Sequence, residues 1–225
     1  MKILKYLYLS VIISMLWINI CAADVTKTAD ALVYKVTLNK VEFYNSTTGG
    51  WETAGSGDMT FDIAASGAGA VAGGYASGSP LPQGSYTKVK VTLKRQFTIK
   101  ASYADTSNAF SGGATKVYYT DTTNTNDANS VDTNTTGPAA EGTAKIPDAA
   151  EALLPATESF VAGGVYLAHE ETLSTPLNVQ KEYTRKTRVS FNVSNVITFS
   201  KPTGASFIIA YPGPPTVTMT TYDSE

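Results

Sequence analysis

The stretch Leu81–Lys100, LPQGSYTKVKVTLKRQFTIK, constrains the fold more than any other part of the chain. Val89, Val91, Leu93, Phe97 and Ile99 recur at every second position, while Lys88, Lys90, Thr92 and Lys94 fill the alternate phase. Period 2 is the mark of a β-strand with one buried face. One residue breaks the rule, because Arg95 falls in the apolar phase. A guanidinium cannot be buried alone, since an isolated buried charge costs many kcal/mol. Two resolutions are open. The strand bends or leaves the core at Arg95, or Arg95 is buried against a carboxylate, for which Asp62 in TFDIA is the candidate.

Further strands follow from the same periodicity. LVYKVTLNKVEFY (32–44) begins with apolar even positions and switches to odd ones at Val41, which predicts a β-bulge at Asn39–Lys40. NSTTGG (45–50) is turn chemistry, so a hairpin partner is expected through Trp51. MTFDIA (59–64) and TKVYY (115–119) are short strands, and GGVYLA (163–168) is another. TRVSFNVSNVITF alternates up to Phe199, interrupted by Asn195, and SFIIAY (206–211) is apolar enough for a central strand. PGPPTVTMTTYD closes the series. Asp148 and Glu151 resemble a capping box ahead of Pro155, which allows one short helix. Many short strands separated by turn signals predict an all-β antiparallel sandwich. Residues 104–184 are poor in apolar side chains around DTTNTNDANSVDTNTTG and are expected to be a polar insertion in a single domain spanning 24–225, with 121–143 least ordered.

The first 23 residues have a basic start (Lys2, Lys5), an apolar run from Tyr6 to Ile20 and small residues at Ala22 and Ala23. They read as a cleaved signal peptide, too short for a transmembrane helix of about 20 apolar residues. The expected product is secreted, periplasmic or cell-surface, and not an integral membrane protein after cleavage. Cys21, the only cysteine, leaves with that segment, so packing rather than disulfides must hold the fold. Lys and Arg number 17 against 19 Asp and Glu, without a basic stripe, which argues against nucleic-acid partners.

The order YKVTLNKVEFY…W…FDIA…LPQGSYTKVKVTL…TRVSFNV resembles a family of secreted bacterial β-sandwich proteins and lipoproteins of uncharacterised function. The likeness covers 31–100 and, more loosely, 185–220. It implies an immunoglobulin-like or transthyretin-like sandwich exported across the inner membrane, with no catalytic residues to carry over.

Chemistry-bearing residues are few. His169, the only histidine, has neither a nucleophile elbow nor an H-E-x-x-H around it, so it is expected to be a surface or strand-edge residue. Glu170 and Glu171 are sequence neighbours that point to opposite faces of a strand and do not converge as glycosidase carboxylates must. Asp121, Asn124, Asn126, Asp127, Asn129 and Asp132 are dense oxygen donors of the type that binds calcium, the only cofactor suggested, although the spacing lacks the glycine and terminal glutamate of a calcium loop. Trp51 is the candidate ring for stacking on a ligand. The composition therefore favours a non-enzymatic structural or adhesive protein of the cell surface, including a subunit of an extracellular filament joined by strand addition. Ala23–Asp30 and TVTMTTYDSE are the candidate donor segments, and self-association through edge strands is the expected partnership. A monomeric carbohydrate- or small-ligand-binding module is the alternative.

Overall fold

A computed structural model of the chain describes residues 24–65, 81–110, 113, 115–154, 156–180 and 185–223. The expected signal segment lies outside the described residues, and so does the Gly- and Ala-rich stretch 66–80, whose sequence around Val71 suggests a short edge strand. The strands in chain order are β1 (Val25–Ala29), β2 (Val33–Asn45), β3 (Gly50–Asp62), β4 (Gly84–Lys94), β5 (Gln96–Lys100), β6 (Ser102–Asp105), β7 (Lys116–Thr120) and β8 (Val131–Asn134). They continue with β9 (Gly142–Lys145), β10 (Glu158–Val161), β11 (Tyr166–Val179), β12 (Arg185–Asn192), β13 (Ile197–Lys201), β14 (Ile209–Pro212) and β15 (Thr216–Asp223). A single 3₁₀ turn, Asp148–Leu153, occupies the expected helical position.

The strands form an all-β sandwich. One sheet has the order β1-β13-β14-β8-β7-β6; the other runs β10-β11-β4-β2-β5-β9, with β3 added alongside β2. Every described pairing within them is antiparallel. The core lies between the sheets: Tyr34, Leu93, Phe97, Ile99 and Leu167 from the second meet Tyr118, Val131, Ile197, Phe199 and Ala210 from the first. A smaller cluster of Phe43, Tyr86, Val89 and Leu173 continues along the second sheet.

Local patterning carried through to register in several places. The ladders of β2 with β3 and with β4 both shift between Leu38 and Lys40, the bulge expected from the phase change. Leu38 and Val41 on either side are half-buried and pack against different clusters. The interruption at Asn195 is a true break: β12 ends at Asn192, β13 begins at Ile197, and Asn195 has a left-handed φ of 55°. The apolar run around Ile209 is central, with β14 between β13 and β8.

The polar stretch differs from its expectation. Residues 104–184 are not an excursion from the sandwich, since β7 and β8 belong to one sheet and β9, β10 and β11 to the other. Val131, Ser130, Thr120 and Asp132 are buried. Hydrogen bonds substitute for apolar burial here. Asp132 accepts from the Thr125 amide and hydroxyl (2.9 and 2.6 Å), from the Asn126 amide (3.2 Å) and from the Thr123 hydroxyl (3.3 Å). The Thr120 hydroxyl accepts from the Ala101 amide (3.1 Å) and donates to the Ala140 carbonyl (2.6 Å). Asp105 receives the Ala109 and Phe110 amides, each at 2.8 Å. At about 0.5–1.5 kcal/mol net apiece, such bonds collectively order a chain that hydropathy alone reads as loose.

Candidate functional site

Arg95 combines both resolutions open in the sequence. It interrupts the strand between β4 and β5, its amide donating to the Val165 carbonyl (3.2 Å) and its carbonyl accepting from the Ile146 amide (3.0 Å). Its side chain nevertheless continues the inward phase and is only 2% exposed. The partner is not Asp62. That carboxylate, at the end of β3, accepts the amides of Tyr34, Ala64 and Ala65 and so fastens the strand end. Asp148, delivered by the 3₁₀ turn after β9, takes the Arg95 ion pair instead. The guanidinium also donates to the Ile146 carbonyl through Nη2 (2.6 Å) and Nε (3.3 Å), and to the Gly164 carbonyl through Nη1 (2.6 Å). It lies 3.8 Å from the Phe160 ring centroid. Gly164, at φ 81°, has to be glycine-like there, because a Cβ would sit 2.9 Å from Nη1. Asp148 remains largely in solvent, and Arg95, then Lys145, hold its carboxyl below the ordinary carboxylate range. With its donors occupied by protein acceptors, Arg95 is a structural clasp joining the β4–β5 bend to the β10–β11 turn.

Trp51 lies beside Tyr44 across the β2–β3 ladder, ring centroids 5.4 Å apart and near edge-on. The Lys90 ammonium stands 3.9 Å over the Trp51 ring. A cation therefore already occupies one face on which a sugar would stack.

The carboxylates of the polar loop are engaged by the loop itself. Asp121 accepts the Thr122 amide (2.7 Å) and the Asn134 side-chain amide (3.0 Å), Asp127 accepts the Asn129 amide (2.9 Å), and Asn124 donates to the Ala128 carbonyl (3.3 Å). Asp132 and Asn126 meet as acceptor and backbone donor. Burial works to raise the Asp132 carboxyl, but the bonds from Thr125 and Asn126 outweigh it and the net shift is downward. Among the described residues no group of three His, Cys, Asp or Glu side chains converges on one metal position.

His169 is buried, not at a surface or strand edge. The strand expected to stop at Ala168 runs on to Val179 and is sandwiched between β10 and β4. His169 faces Glu158 directly across the β10–β11 ladder.

The remaining candidates are backbone edges. Neither expected donor segment is free. Val25–Ala29 is β1, paired with β13, and Thr216–Asp223 is β15, paired over its whole length with β12. The β12–β15 ribbon forms a two-stranded sheet by itself, so among the described residues each strand has an outer edge without a partner strand. Among the described residues β3 pairs with β2, but its far edge is not open, because Ser56, Gly57, Phe61 and Asp62 have further partners. β12 carries Arg185, Lys186 and Arg188 and no acid, whereas two of the three acids of β3 are engaged, Asp58 with Lys94 at 2.7 Å and Asp62 with backbone amides. Sequence reasoning marked the chain ends as donors and passed over β12, although its basic run TRKTR was visible.

No helix among the described residues is long and apolar enough to cross a membrane. No protein-family model, no curated protein and no solved structure matches the chain.

Proposed function

We propose that the chain is an exported, non-enzymatic structural protein of the cell surface whose copies join by strand addition at the β12–β15 ribbon. The observation that carries this reading is that ribbon itself, whose two strands pair, among the described residues, only with each other. A two-stranded ribbon is only marginally stable in water, so β12–β15 gains from a third strand. An added strand satisfies a row of backbone donors and acceptors. The sequence features of an export signal and a Thr- and Ser-rich mature chain support the location.

Analytical ultracentrifugation of the chain from residue 24 tests the reading. Association should rise with protein concentration. Ser190→Pro, which removes a backbone donor and stiffens β12, should leave monomer. If Ser190→Pro disturbs the ribbon itself, Arg188→Glu provides a second variant that keeps every backbone donor and should change the salt dependence of association. A chain that stays monomeric at high concentration and low salt overturns the reading.

A further inference from the structure

Three titratable side chains on the inner side of the second sheet have a geometry that the edges and the Arg95 clasp do not use. His169 is 4% exposed and Glu158 7% exposed, facing each other on β10 and β11. The imidazole Nδ1 is 3.2 Å from Glu158 Oε1, and Nε2 is 3.5 Å from Glu171 Oε2. His169 and Glu171 are two apart on β11 and so share a face. Two buried atoms in this group have no hydrogen-bond partner: His169 Nε2 and Glu158 Oε2. The lysines of the neighbouring strand do not compensate the charge. His169 and Glu171 oppose Val91 and Val89 of β4, whereas Lys88 and Lys90 lie in the alternate phase, where Lys88 pairs with Glu170.

We propose that His169 Nε2 and Glu171 are the protein ligands of a divalent transition-metal ion, zinc being the reference case, with Glu158 as the carboxylate that orients the imidazole. Four features converge on this. Ligands 2.0–2.1 Å from a tetrahedral zinc are about 3.3 Å apart, close to the 3.5 Å between Nε2 and the Glu171 oxygen. A metal-bound histidine characteristically donates its other ring N–H to a carboxylate, which fixes its tautomer, and Glu158 stands at that nitrogen. The charge balances, because one divalent cation neutralises the buried Glu158 carboxylate and the partly exposed Glu171 carboxylate that flank a single imidazole. The Glu171 side chain is 32% exposed, so the site has a route to solvent, from which water completes the coordination. An imidazole donor selects a transition metal over calcium or magnesium. The site is independent of the strand-addition reading.

Zinc titration of the full chain after chelator treatment, followed by calorimetry, tests it. One equivalent should bind saturably. His169→Gln and Glu171→Gln should each abolish that equivalent, and Glu158→Gln should weaken it by about 10–100-fold. Cobalt in place of zinc should give a visible absorption band that is lost in Glu171→Gln. If His169→Gln fails to fold, the partly exposed Glu171 still decides, with circular dichroism confirming that its variant is folded. No saturable uptake, or uptake that survives intact in folded Glu171→Gln, overturns the proposal and leaves the trio as a buried ion-paired histidine.

Discussion

Arg95→Met isolates the contribution of the buried guanidinium. Methionine has a comparable apolar stem and keeps contact with Phe160, so the substitution removes the hydrogen-bonding fork while leaving little void. Two carbonyl oxygens lose their charged donors: Ile146, in the buried interior, and Gly164, partly buried at the turn. A stranded buried acceptor costs roughly 1–3 kcal/mol, and the less buried Gly164 belongs at the low end. The expected loss is therefore about 2–4 kcal/mol. That lies somewhat below the usual penalty for breaking an ion pair buried at both ends, because Asp148 is 79% exposed and returns to water rather than being stranded. Guanidinium chloride unfolding followed by circular dichroism reads the shift in midpoint at constant slope. Asp148→Asn is the internal control and should lower stability much less than Arg95→Met. A loss under about 0.5 kcal/mol for Arg95→Met would place the guanidinium in solvent and refute the reasoning. Equal losses for the two variants would refute it as well, since the carbonyls rather than the carboxylate would then not be the main partners.

Two further outcomes follow from the polar layer. Gly142→Ala should destabilise by about 1–3 kcal/mol in the same unfolding assay, because a Cβ there would collide with the Asp121 carbonyl oxygen and a methyl of Val131; a neutral result would mean that β9 is not seated against β8. The Asp132 carboxyl is lowered in the folded chain, so its contribution is complete above the ordinary carboxylate value of about 3.9 and is lost as pH falls through the folded value. Acid titration of stability should therefore steepen below about pH 4, and Asp132→Asn should flatten that limb and raise amide exchange across 123–130; an unchanged acid limb would contradict the bonding described.

Much of the fold was legible because it is written in local periodicity. The bulge at Asn39, the break at Asn195 and the central position of Ile209 each arise from a change of phase or polarity within a few residues. The polar third was not legible for a physical reason. Thr120, Asp105 and Asp132 order it through side-chain-to-backbone bonds, which leave no hydrophobic period to detect. The partner of Arg95 was hidden by distance, since Asp148 lies 53 residues away and its spacing to Glu151 read as a helix cap. The burial of His169 was misread because β11 continues through HEETLSTPLNV, a segment whose turn-like Ser, Thr and Pro mask a strand flanked by β10 and β4.

Negative-stain electron microscopy of the chain from residue 24, at high protein concentration and low salt, tests the joining of copies most directly. Assemblies with a regular subunit repeat are predicted, dissolving into single particles in Ser190→Pro. A uniform field of single particles under every condition would contradict strand addition at the β12–β15 ribbon.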